Sequence, residues 1–120
     1  MNFAIIGCGL IGQKRSKNLG NNKLIYTCDV DFRKAELLAT QFNECIPTTD
    51  LNLICTDKNV DAVIISVINS ELYSVSLKLI ESGKHVLIEK PGSITTSELK
   101  SLEYTSKKFN STVKIGRAHV

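Results

Sequence analysis

Two short stretches of this 120-residue chain carry groups that could do chemistry together. The first is Gly7-Cys8-Gly9-Leu10-Ile11-Gly12, a G-x-G-x-x-G run directly after the apolar residues Phe3–Ile6. Glycines at this spacing, between a strand and a helix, suit a pyrophosphate. Gly7 permits the tight turn, Gly9 lets a phosphate approach the backbone, and Gly12 lets the helix pack on the strand. The N–H groups of the helix start, at Leu10 and Ile11, add unpaired donors and a partial positive charge. Asp29 stands 22 residues after Gly7. An acid about 20 residues on is where a carboxylate would accept both hydroxyls of an adenosine ribose and repel a 2′-phosphate. NAD is therefore expected rather than NADP.

The second stretch is Glu89-Lys90-Pro91, after the apolar run Val86–Ile88. A lysine at the C-terminal edge of a parallel sheet faces the crevice where ligands bind. Its ammonium can hydrogen-bond a substrate oxygen and bias proton transfer there. Taken alone, such a lysine reads more readily as a surface residue ahead of a loop proline.

The elements that must position these groups follow from periodicity. Strands are expected at Phe3–Ile6, Leu24–Cys28, Ala62–Ile68, Val86–Ile88 and Ser111–Ile115, with a brief extended piece at Ile46-Pro47. The run 62–68 is apolar except for Ser66, which predicts burial on both faces, as in a parallel sheet. Helices are expected at Leu10–Leu19, after Asp31, from Asp50 through Ile54, at Glu71–Ser82, and from the capping box Thr95-Thr96-Ser97-Glu98. Ala35, Leu38, Ala39 and Phe42 form one helical face, and Leu99, Leu102 and Phe109 another. Strands alternating with helices demand parallel pairing and right-handed crossovers, so the fold class is α/β, a doubly wound parallel sheet of about six strands.

Composition narrows the function classes. The formal charge is +3 and the basic residues are scattered, so no nucleic-acid stripe is present. No run approaches the ~18 apolar residues of a membrane span. The four cysteines, Cys8, Cys28, Cys45 and Cys55, have no C-x-x-C spacing and no histidine nearby, so no metal site is expected. They read as reduced thiols of a cytoplasmic protein. Cys8 in the glycine loop reads as a packing residue rather than a reactive thiol, and Lys14 and Arg15 as a solvated helix face.

The ordered series F-A-I-I-G-C-G-L-I-G, C-D-V-D, N-V-D-A-V-I-I-S and G-K-H-V-L-I-E-K-P resembles the Gfo/Idh/MocA family, the glucose–fructose oxidoreductase and inositol dehydrogenase relatives. The similarity runs from residue 2 to about 114, and its G-K-H-V-L-I-E-K-P block is the specific part. It implies a Rossmann-type NAD-binding domain of an oxidoreductase that moves hydride between NAD and a sugar, cyclitol or nucleotide-sugar hydroxyl. Lys90 is then the catalytic candidate. Gly7, Gly9, Leu10, Ile11, Gly12, Asp29, Val67, Asn69, Glu89, Lys90 and Pro91 are the expected cofactor contacts. In relatives a Thr-Pro pair and a later histidine occupy the positions of Val67-Ile68 and Leu72, which puts the substrate subclass in doubt. The resemblance also implies a C-terminal substrate and dimerisation domain, so a homo-oligomer is expected only of a full-length protein and the 120 residues alone are expected to be inactive. A non-catalytic NAD-binding sensor or regulatory module would keep the glycine loop and Asp29 without needing Lys90. Another two-domain dehydrogenase would share only the glycine loop.

The last residues, Ile115–Val120, read I-G-R-A-H-V. A common sequencing adapter encodes the same six residues in one frame, and an AAG codon for Lys114 matches the bases that precede them in it. The expected organisation is a dinucleotide-binding domain over 1–114 and an artefactual tail over 115–120.

Overall fold

The computed structural model describes residues 1–67, 70–89 and 94–116. Six parallel strands, β1 (Asn2–Ile6), β2 (Lys23–Cys28), β3 (Ile46–Thr48), β4 (Ala62–Ile65), β5 (His85–Ile88) and β6 (Val113–Ile115), lie in the order β3-β2-β1-β4-β5-β6. Between them run helices α1 (Leu10–Ser16), α2 (Phe32–Ala39), α3 (Leu51–Thr56), α4 (Leu72–Glu81) and α5 (Thr96–Lys108). The chain winds outward from β1 in one direction and from β4 in the other. The C-terminal ends of β1 and β4 therefore meet at the switch point, where ligands of doubly wound sheets bind.

Strand periodicity divides the core in two. Ala4, Ile6, Val63, Ile65, Val86 and Ile88 pack with Ile54, Leu72, Leu79, Ile80 and Leu102 of α3, α4 and α5. Ile5, Ile64 and Leu24 pack on the opposite side with Cys8 and with Ala35 and Leu38 of α2. The continuous apolar runs of β1 and β4 follow from this: both faces of each strand are covered. Caps set the helix starts as expected. Asp31 and Asp50 accept from the N–H groups of Arg33 and Asn52, and Thr95 and Glu98 form the full capping box.

Several element ends shift by one to three residues from the sequence expectation, and two of them, with one burial, have a clear physical reason. Helix α1 stops at Ser16 rather than Leu19, because Lys17 and Asn18 donate to Lys14 and Arg15, three residues back, which tightens and closes the last turn. Strand β4 ends at Ile65, and Ser66 makes the last β1 contact through its N–H to Ile6 O at 2.8 Å. Phe109 was expected inward, but it caps α5 and stays exposed; Asn110 at φ 57° turns the chain there, and Ser106 takes the buried position. At the other end of the molecule, β6 includes Ile115, and Gly116 N–H donates to Ile88 O at 2.7 Å. Residues 117–120 of the expected tail lie outside the described residues.

The N-terminal edge of the sheet holds a polar network. Tyr26 Oη donates to Asp57 Oδ2 at 2.5 Å, and buried Lys84 Nζ donates to the Asp57 backbone carbonyl at 2.6 Å, closing the C-terminus of α3. The Tyr26 hydrogen bond holds the Asp57 carboxyl below its ordinary range and, with burial, pushes the tyrosine up to about 12. A lowered carboxyl contributes stability above its unfolded pKa and loses it as pH falls through the folded value. A raised tyrosine contributes below its unfolded pKa and loses it as pH rises toward 12. Tyr26→Phe should therefore lower stability by about 1 kcal/mol at pH 7. In urea titrations the gap from the unsubstituted chain should stay level from about pH 5 to 9 and close below about pH 4.

Candidate functional site at the switch point

The glycine loop owes its shape to contacts that exclude side chains. Gly7 has φ +93°, and a Cβ there would stand 2.7 Å from Ser66 O. A Cβ on Gly12 would stand 2.1 Å from Gly7 O, closer than any real contact. Helix α1 thus touches the end of β1 directly. Gly9 differs: among the described residues, no atom beyond its own chain neighbours lies within 4 Å of a Cβ built there. Its bareness serves no packing inside the chain and leaves open space over the loop, which fits the approach of a phosphate. Gly9 is also the N-cap of α1, with no side-chain cap and no acid in the first turn. The first N–H groups of a helix have no acceptor within it, so those of Leu10 and Ile11 point a positive end at this space.

Asp29 follows β2 at the same edge. Its Oδ2 accepts from Cys8 N–H and its Oδ1 from Asp31 N–H, both at 2.9 Å. Each carboxylate oxygen can accept more than one donor, so capacity remains for hydroxyls. Asp29 and Gly7 line one hollow of about 220 Å³ with Val30, Thr49, Leu51, Val67, Glu71 and Val75. Its apolar walls come from the strand ends and from α3 and α4, and its polar groups sit at the rim. The hollow brings Gly7, Asp29 and Val67 of the expected contacts together. Gly9, Leu10, Ile11 and Gly12 adjoin it on the loop and helix. Asn69, Lys90 and Pro91 lie outside the described residues.

Cys8 is buried, its Sγ directed at Cys28 O at 3.4 Å, and burial with the nearby Asp29 charge raises the thiol to about 12. That is a packing residue, not a nucleophile.

Arg15 corrects the sequence reading. Instead of lying on a solvated face, its Nε stands 2.9 Å from Oε1 of Glu89, whose side chain is 7% exposed. The N–H is not aligned on that oxygen, which makes no hydrogen bond, so this is an ion pair held by charge. A Cβ on Gly116 would stand 2.7 Å from the same carboxylate. Nothing in the local sequence of Arg15 signals the pairing, because the two partners are on elements far apart in the chain. Ser66 was the other missed residue, and here a signal existed: it is the one polar residue in the run 62–68.

The model of an oxidoreductase family with an NAD-binding Rossmann fold matches residues 1–117. The inositol 2-dehydrogenase of Salmonella paratyphi B is 26% identical over 93% of this chain and 35% of its own length. The inositol 2-dehydrogenase/D-chiro-inositol 3-dehydrogenase of Halalkalibacterium halodurans is 31% identical over 76% of this chain and 28% of its own. The chain thus spans about a third of the length of the curated relatives it matches. The crystal structure of GenD2 from gentamicin A biosynthesis, in complex with NAD, superposes at a TM-score of 0.89 with 24% identity, over 97% of this chain and 34% of that one.

Removing one partner of a buried ion pair leaves the other charge uncompensated. Because the Arg15 side chain is 36% exposed, Arg15→Met should destabilise the chain by less than the about 3–5 kcal/mol of a fully buried pair, measured in chemical denaturation. Adding Glu89→Gln should recover most of that loss, since the buried charge goes with its partner. A double variant no more stable than Arg15→Met would show that the pair is not what holds this corner.

Proposed function

Because the chain belongs to the oxidoreductase family whose NAD-binding Rossmann fold it shares, we propose that it is the cofactor-binding part of a dehydrogenase acting on a hydroxyl of a sugar, cyclitol or nucleotide sugar. The observation that carries the reading is the switch-point edge itself. A bare Gly9 at a helix start and an acid after β2 flank one apolar hollow. That donor set fits a dinucleotide. The N–H groups of Leu10 and Ile11, with Gly9 open above them, would hold the pyrophosphate. Leu51, Val67 and Val75 offer an apolar wall of the size and place for the adenine. Asp29 would take the ribose hydroxyls.

Bound there, NAD would supply the hydride acceptor or donor, and the residues of this chain would bind and orient it. Lys90 is assigned the substrate oxygen, where its ammonium would hydrogen-bond that oxygen and stabilise the alkoxide-like negative charge it carries in the transition state of hydride transfer, the hydroxyl proton passing to or from a base at the same oxygen. Glu89, anchored by Arg15 at the end of β5, would set where the Lys90 segment begins. The inositol dehydrogenases among the relatives support a polyhydroxylated substrate.

In the full-length protein, Lys90→Ala should lower turnover by about 10²–10⁴-fold while NAD affinity is retained; unchanged turnover would remove Lys90 from the chemistry. For the cofactor, Asp29→Asn should weaken NAD about tenfold or more and narrow the preference over NADP, since a charged acceptor that repels a 2′-phosphate is gone. Titration of both dinucleotides into both proteins checks this. A chain that binds NADP better before the substitution than after it would reverse the assignment.

A further inference from the structure

The Gly7–Cys8 peptide is held at both of its polar ends. Its carbonyl, Gly7 O, accepts from Ser66 Oγ at 2.7 Å, and its N–H, that of Cys8, donates to Asp29 Oδ2 at 2.9 Å. The preceding N–H, that of Gly7, is fixed to Cys28 O at 2.8 Å. Ser66 itself is anchored by its N–H to Ile6 O. The Gly7 carbonyl therefore points inward, between the Ser66 hydroxyl and the face of Gly12 that could carry no side chain.

We propose that Ser66 is a positioning residue for the dinucleotide pyrophosphate, its hydroxyl keeping the Gly7 carbonyl turned away from the anion. The proposal rests on the reading of the glycine loop as the pyrophosphate site. A carbonyl oxygen carries partial negative charge. Rotation of the Gly7–Cys8 peptide would bring that oxygen toward the space over Gly9, among the N–H groups meant for phosphate. The same rotation would pull Cys8 N–H off Asp29 and disturb the acid assigned to the ribose. Gly7 at φ +93° has no side chain to resist such a turn. Resistance comes from the two hydrogen bonds, and Ser66 supplies the one on the oxygen. Ser66 touches no phosphate in this arrangement; it acts through the peptide it holds.

The test uses the 120-residue chain with Ser66→Ala, which removes the donor, and Ser66→Thr, which keeps it. Amide exchange is read by ¹⁵N NMR, and affinity is measured for NAD, ADP and adenosine. In S66A the Cys8 amide should exchange at least tenfold faster while Ala4–Ile6 remain protected. NAD and ADP should each bind about tenfold more weakly, with adenosine, which meets only the disturbed Asp29 and no phosphate site, losing clearly less. S66T should restore most of both. Should S66T fail to fold, S66A alone decides. Unchanged exchange at Cys8, or NAD affinity within twofold in folded S66A, overturns the role. An equal loss for adenosine with protection falling across the sheet also overturns it, because that is a structural role only. If the unsubstituted chain takes up no NAD, the cofactor reading falls and the positioning role with it. If it binds NAD and S66A binds equally, only the positioning role falls.

Discussion

The approach of α1 to the end of β1 is the constraint on which the C-terminal edge depends. With a Cβ at Gly12 placed 2.1 Å from Gly7 O, no side chain at that position is compatible with the helix start where it is. Move the helix outward by the width of a methyl and its first N–H groups leave the switch point. The loop could then neither rest its Gly7 carbonyl against Ser66 nor bring Cys8 N–H to Asp29. Packing and ligand geometry are one requirement here: the close contact that fills the core also aims the helix dipole.

The two edges of the sheet divide labour accordingly. At the N-terminal edge, Tyr26, Asp57 and Lys84 satisfy one another and close α3. At the C-terminal edge, glycines remove side chains and the strand ends leave polar groups facing a hollow. A sheet buried on both faces has few other places to offer a ligand. Its interior positions belong to the apolar clusters on either side.

Much of this was legible in the order of residues. The alternation of β-branched runs with capped helices gave the six parallel strands, because each local preference agreed with the global topology. The glycine loop and Asp29 were legible because their spacing is imposed by one βαβ unit, whose dimensions barely vary. What was not legible was contact between distant elements. Arg15 and Glu89 are separated by four strands' worth of chain, and a basic residue on a short helix has the same local signature whether it faces water or a buried acid. Ser66 lay between the two cases. Its polarity in an apolar run was visible, but its partner, a backbone carbonyl, has no sequence signature. Helix ends slipped for a related reason: i→i+3 closure at Lys17 and Asn18 is decided by a fraction of a hydrogen bond, not by periodicity.

The Arg15–Glu89 pair adds a mechanical link to this picture. Glu89 N–H is tied to Ile65 O at 2.8 Å, and its carboxylate to Arg15 on α1. The end of β5 is therefore fixed both to β4, whose next residue is Ser66, and to the helix that begins at the glycine loop. Burying a carboxylate against one imperfectly aligned cation among the described residues is a poor way to gain stability, since desolvation offsets much of the attraction. An apolar pair would hold the corner as firmly. What an apolar pair could not do is hold a charged oxygen at the end of β5 against α1, where it answers the Arg15 guanidinium.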